Sequence, residues 1–150
     1  MFIAKVENGQ IGEIMDFRTY FGKTDSVTDE QLATQGFVKV NLFREHNRLT
    51  QKLVPATPVL ENGWVYTVAV ADLTAEEIQS AKDSAMAQIR GTRNTLLAAC
   101  DWTQIADSTA DKTAWATYRT ALRNLPATIT GDPRTFSDWP HDPNWVDRTI

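Results

Sequence analysis

The side chains able to do acid–base or covalent chemistry are few and scattered. His46 and His141 are the only histidines, and Cys100 is the only cysteine. Nucleophilic catalysis needs a base placed beside the attacking hydroxyl or thiol, and neither histidine sits in a motif that provides one. Cys100 precedes Asp101-Trp102 at the end of an expected helix. A reactive thiol needs an electropositive setting, so Cys100 reads as a small buried hydrophobe at a helix turn. Asp132, Asp138, Asp142 and Asp147 have spacings of six, four and five residues. These match no EF-hand loop and read as a solvated acidic tail. Phosphate loops, dinucleotide fingerprints, paired-cysteine zinc motifs and metalloprotease helices are all missing. The expectation is a protein that is not an enzyme, with no catalytic residue, no cofactor and no metal.

What remains is recognition. Four of the five tryptophans follow residue 100. Trp102, Trp115 and Tyr118 read first as the core of a helix pair and second as a ligand platform. Trp139 and Trp145 lie among prolines and read as partner anchors, since tryptophan is enriched at binding hot spots. These five are the candidate partner-binding residues.

The elements that must position them follow from pattern. Asn8-Gly9 between two apolar-bearing runs predicts a hairpin at about residues 2–15. Residues 16–27 read as a loop. Thr28 with Gln31 forms a capping box for a short helix to about Thr34, ended by Gly36. Phe37–Val40 follows as a strand. Residues 50–54 predict another, with Pro55 and Pro58 breaking or edging it. A second hairpin turns at Asn62-Gly63 into the strand Trp64–Ala71.

Thr74 with Glu77 opens a long helix over 74–99. Its thin seam is Ile78, Ala85, Ile89, Thr92 and Leu96. Asp107 or Ser108 caps a second helix with the stripe Trp115, Tyr118, Leu122 and Leu125, stopped at Pro126. Arg119 and Arg123 read as part of a solvated helix face. The fold class is α+β: a β-rich domain over 1–72, an antiparallel helical hairpin over 73–126 and an extended tail over 127–150.

The length of 150 residues allows a real core, and 42% hydrophobic with 23% charged residues are globular values. A net charge of −4 without a Lys/Arg cluster argues against nucleic acid as a partner. The short apolar N-terminus does not read as a signal peptide, and no run is long enough for a membrane helix.

Residues 71–140 resemble the phage tail assembly chaperones, also described as tail fibre assembly proteins. The resemblance rests on Asp72-Leu73-Thr74-Ala75-Glu76-Glu77-Ile78, Arg90, Arg93, Asn94, Leu96-Leu97, Cys100-Asp101-Trp102-Thr103-Gln104, Asp107, Lys112, Trp115-x-x-Tyr118-Arg119-x-x-Leu122-Arg123, Leu125-Pro126 and Trp139-Pro140. Two departures are Asn124 before Leu125-Pro126, where the family has Asp, and Gly131-Asp132-Pro133 in place of an apolar Phe-Pro segment. The resemblance implies a non-catalytic helper in the host cytoplasm that folds, trimerises or attaches a tail fibre or receptor-binding protein. Other tail or baseplate subunits are further partners it allows, as is a homo-oligomer. The alternative it leaves open is a structural subunit retained in the virion tail.

Overall fold

The computed structural model describes residues 1–23 and 25–145. It divides between Leu73 and Thr74 into two compact units. The first holds a five-stranded sheet and two short helices, and the second is helical, so the chain is mixed α and β.

In the first unit, β1 (Phe2–Glu7) and β2 (Gln10–Asp16) join through Asn8-Gly9, whose φ angles of 52° and 77° meet the demand of a type I′ turn. The helix α1 (Phe17–Phe21) follows, and α2 (Asp29–Thr34) carries its capping box: Thr28 Oγ1 accepts from Gln31 N–H at 3.2 Å and Gln31 Oε1 accepts from Thr28 N–H at 2.9 Å. β3 (Phe37–Asn41) precedes β4 (Gln51–Glu61) and β5 (Trp64–Asp72). The strand order is β2-β1-β3-β5-β4, with β3 and β5 parallel and the other neighbours antiparallel.

Period-2 alternation gives the sheet two apolar faces. Ile3 and Phe37 pack with Phe17 and Leu32 of the helices. Ala4, Val40 and Val65 form the cluster on the other face. The edge strands β2 and β4 approach one another, so the sheet curls around that second cluster.

Two expectations change here. The loop at 16–27 contains α1, which Asp16 caps by accepting from Arg18 N–H at 2.9 Å. Five residues are too few to show a period, and buried Phe17 anchors them through tertiary packing. The strand at 50–54 extends through both prolines to Glu61. It can do so because β4 is an edge strand and its register shifts between Pro55 and Val59.

In the second unit, α3 (Ala75–Ala99) begins at Thr74, whose capping box with Glu77 is complete. Ile89 is its buried residue, and Ile78, Ala85 and Leu96 are half-buried. Thr92 is exposed, contrary to the expected seam, and Arg93 takes its place, with Nη1 donating to the Arg123 carbonyl at 3.3 Å. The step of four residues from Ile89 follows the helix period better than the step of three.

The second helix, α4 (Lys112–Thr128), is capped by Asp111 rather than Asp107 or Ser108. Asp111 Oδ1 accepts from Thr113 and Ala114 N–H, both at 3.0 Å. Ser108 Oγ instead accepts from Ala110 N–H at 3.2 Å in a local turn, and the helix opens three residues later. Pro126 lies inside α4 rather than ending it, and the boundary expected at 126/127 falls within the helix. Only the final turn loses a backbone bond, buried Leu122 and Leu125 hold that turn down, and Thr128 Oγ1 donates to the Leu125 carbonyl at 2.9 Å.

The segment after Thr128 is not simply extended. It forms a 3-10 turn at Pro133–Thr135 that lies against α3. Residues 146–150, including Asp147 of the expected acidic tail, lie outside the described residues.

Candidate partner-binding surface

The second unit is built around Cys100, Trp115, Tyr118 and Leu122, with Leu96, Leu97, Ala110 and Trp139 packed on their rim. The apolar stripe of α4 supplies Trp115, Tyr118 and Leu122 at three- and four-residue steps, and the last turn of α3 faces them. Trp115 and Tyr118 are therefore core residues of this unit. Their rings meet edge to face at 5.7 Å. Burial pushes the Tyr118 hydroxyl up from its ordinary pKa, with nearby Cys100 and Asp142 acting in the same direction.

Arg119 sits in the same stripe and is buried, not part of a solvated face. Its Nη2 donates to Asp101 Oδ1 at 2.7 Å, and its Nη1 donates to the Leu97 carbonyl at 2.9 Å and to Cys100 Sγ at 3.1 Å. The Asp101 hydrogen bond raises the guanidinium pKa further. A fixed positive charge thus sits at the C-terminal end of α3, where it is favoured by the helix dipole. This joins two separate pieces of sequence, Cys100-Asp101 and Tyr118-Arg119, into one clamp. The available signal was a charged residue four positions after Trp115, inside an otherwise apolar stripe.

The clamp holds the 3-10 turn Asp101–Gln104 in place. Thr103 is fully buried and donates its hydroxyl to the Cys100 carbonyl at 2.7 Å. With Thr103 turned inward, Trp102 and Ile105 turn outward and remain 52% and 55% exposed. The Trp102 ring rests 6.2 Å from that of Trp115. Trp139 packs on the cluster rim and meets Phe136 edge to face at 5.4 Å. Trp145 is half exposed and stacks on His141 at 3.8 Å. Of the five candidates, Trp115, Tyr118 and Trp139 build the platform, while Trp102 and Trp145 present surface. Ile105 is a surface residue that sequence reasoning missed, because a lone isoleucine in a turn carries no pattern.

Asp132, expected to be solvated, is engaged. It accepts from Arg134 Nε at 3.0 Å and Nη2 at 2.6 Å, and caps the turn by accepting Arg134 N–H at 3.0 Å. These bonds pull its pKa down to about 2.

The first unit exposes apolar side chains of its own, notably Leu42, Phe43, Val59 and Trp64. Arg44 stacks over Tyr66 at 4.0 Å and pairs with Glu61 at 2.8 Å. His46 belongs to this unit, and its Nδ1 lies 2.8 Å from the Arg44 carbonyl, to which it donates as the Nδ1–H tautomer. No cluster of three or more His, Cys, Asp or Glu able to hold a metal occurs among the described residues, and none of their helices is long and apolar enough to cross a membrane.

Residues 86–144 match the family model described as phage tail assembly chaperone protein. The matched segment contains the Arg119 clamp, the aromatic cluster and Trp102, and it bears out the resemblance carried by those motifs. No curated protein and no solved structure matches the chain.

Proposed function

We propose that this chain is a phage tail assembly chaperone that binds a tail fibre or receptor-binding protein during assembly in the infected host cell, by contact alone and without catalysis. The observation that carries this reading is the match of residues 86–144 to the phage tail assembly chaperone family; Trp102, half exposed, lies inside that segment. Tryptophan is enriched where a partner binds, and Trp102 offers its ring to one. In this mechanism the sheet unit docks on the fibre, and the helical unit covers apolar fibre surface and strand edges that otherwise aggregate.

Co-expression tests it. The fibre expressed alone is expected in the insoluble fraction, and with this chain as a soluble trimer. A fibre that folds and trimerises unaided overturns the reading. Quantitative mass spectrometry of purified virions separates a departing chaperone from a retained subunit. Absence from particles is expected, and a fixed ratio to the fibre overturns the transient role.

A further inference from the structure

The end of the helical unit formed by residues 101–111 and 137–145 joins an apolar surface to a one-sided charge. Trp102 and Ile105 supply the apolar part. Asp101, Asp107, Asp111, Asp138 and Asp142 lie in these two stretches, which contain no lysine or arginine. Both stretches border the same cluster: Trp102 rests against Trp115, Ala110 and Trp139 pack on its rim, and Asp142 acts on Tyr118.

The neighbouring cations neutralise this end only in part. Arg119 is turned inward to the Leu97 carbonyl and pairs with Asp101, and Lys112 Nζ donates to the Ala106 carbonyl at 2.9 Å, which leaves four carboxylates facing one lysine. Asp107 and Asp138 form no hydrogen bond or ion pair among the described residues.

We infer that this end docks an extended segment of a tail protein in which a large apolar side chain is flanked by arginine or lysine. An exposed tryptophan face attracts a cation through its quadrupole, and Asp107 and Asp138, in the stretches that border the same cluster, attract the same charge. The apolar anchor displaces water from Trp102 and Ile105, which a purely basic segment does not do. The inference rests on the chaperone reading for the nature of the partner, and on the geometry alone for its chemistry.

Three synthetic peptides of equal length test it against the full chain by fluorescence anisotropy: leucine with arginine, leucine with glutamate, and serine with arginine. The leucine–arginine peptide is expected to bind about tenfold more tightly than either other peptide. Trp102→Ala and Asp107→Lys are each expected to weaken it about tenfold while far-UV circular dichroism stays unchanged. Binding falls as ionic strength rises from about 0.05 to about 0.5 M.

Equal affinity for the leucine–glutamate peptide overturns the inference, as does a Trp102→Ala chain that binds like wild type. A dimer in sedimentation that Trp102→Ala dissolves assigns the surface to a second copy and also overturns it. In the co-expression assay, a Trp102→Ala chain that still keeps the fibre soluble removes this surface and leaves the chaperone reading standing. Fibre that stays soluble without any chaperone removes the reading itself.

Discussion

Replacing Arg119 tests whether the clamp, rather than the aromatic cluster alone, holds the helical unit together. Arg119→Met keeps most of the stem and removes the guanidinium; Arg119→Ala removes both. The Asp101 carboxylate is 67% exposed and regains water when its partner leaves, so that contact is worth about 0.5–1 kcal/mol. The Leu97 carbonyl still accepts from Cys100 N–H at 3.2 Å, and losing the charged donor there costs about 1 kcal/mol. Loss of the packed stem in the alanine variant adds about 1 kcal/mol.

The expected destabilisation is therefore about 1.5–2 kcal/mol for methionine and about 2.5–3 for alanine. Lysine is a single point charge that cannot reach both acceptors, so it recovers about half of the methionine loss. Urea unfolding followed at 222 nm, where the helical unit dominates the signal, measures all three. The reasoning fails if Arg119→Met lies within about 0.5 kcal/mol of wild type. It also fails if Asp101→Asn costs as much as Arg119→Met, because the carbonyl contact would then contribute nothing.

The two exposure classes of tryptophan predict opposite results: Trp115→Ala costs about 3–5 kcal/mol of stability, whereas Trp102→Ala costs less than about 1, both read by the same urea titration. Asp132 has a folded pKa depressed to about 2, so its contribution is present above the unfolded value and is lost as pH falls through about 2. Acid titration should thus show Asp132→Asn less stable than wild type at neutral pH, with the gap closing between about pH 4 and pH 2. Gly91 lies exposed within α3, with nothing within 4 Å of where an alanine β-carbon would sit. Gly91→Ala should therefore stabilise the unit by about 0.5–1 kcal/mol, visible as a higher thermal midpoint.

Local rules carried much of the fold. Both Asn-Gly turns have positive φ at each central residue, a demand few other dipeptides meet, so they are legible without any tertiary information. Both Thr-x-x-Glu/Gln capping boxes form, because their bonds close within four residues. The elements misplaced from sequence were those decided by distant partners. α1 exists because Phe17 and Phe21 reach a core that also involves Leu32 and Phe37. β4 tolerates two prolines because it lies at the sheet edge, which no local pattern announces.

At the candidate surface, the sequence by itself determined the inventory: aromatic residues concentrated after residue 100, a helical stripe holding Trp115 and Tyr118, and motifs shared with a phage assembly family. Only the tertiary structure decided which aromatics are platform and which are surface. Helical spacing says which side chains share a face, but not which turn residue points inward. That choice came from Thr103, which buries its hydroxyl on the Cys100 carbonyl and so turns Trp102 out. The same holds for Arg119: a charge in an apolar stripe is ambiguous until a carboxylate and a helix end, eighteen and more residues away, come within hydrogen-bond reach.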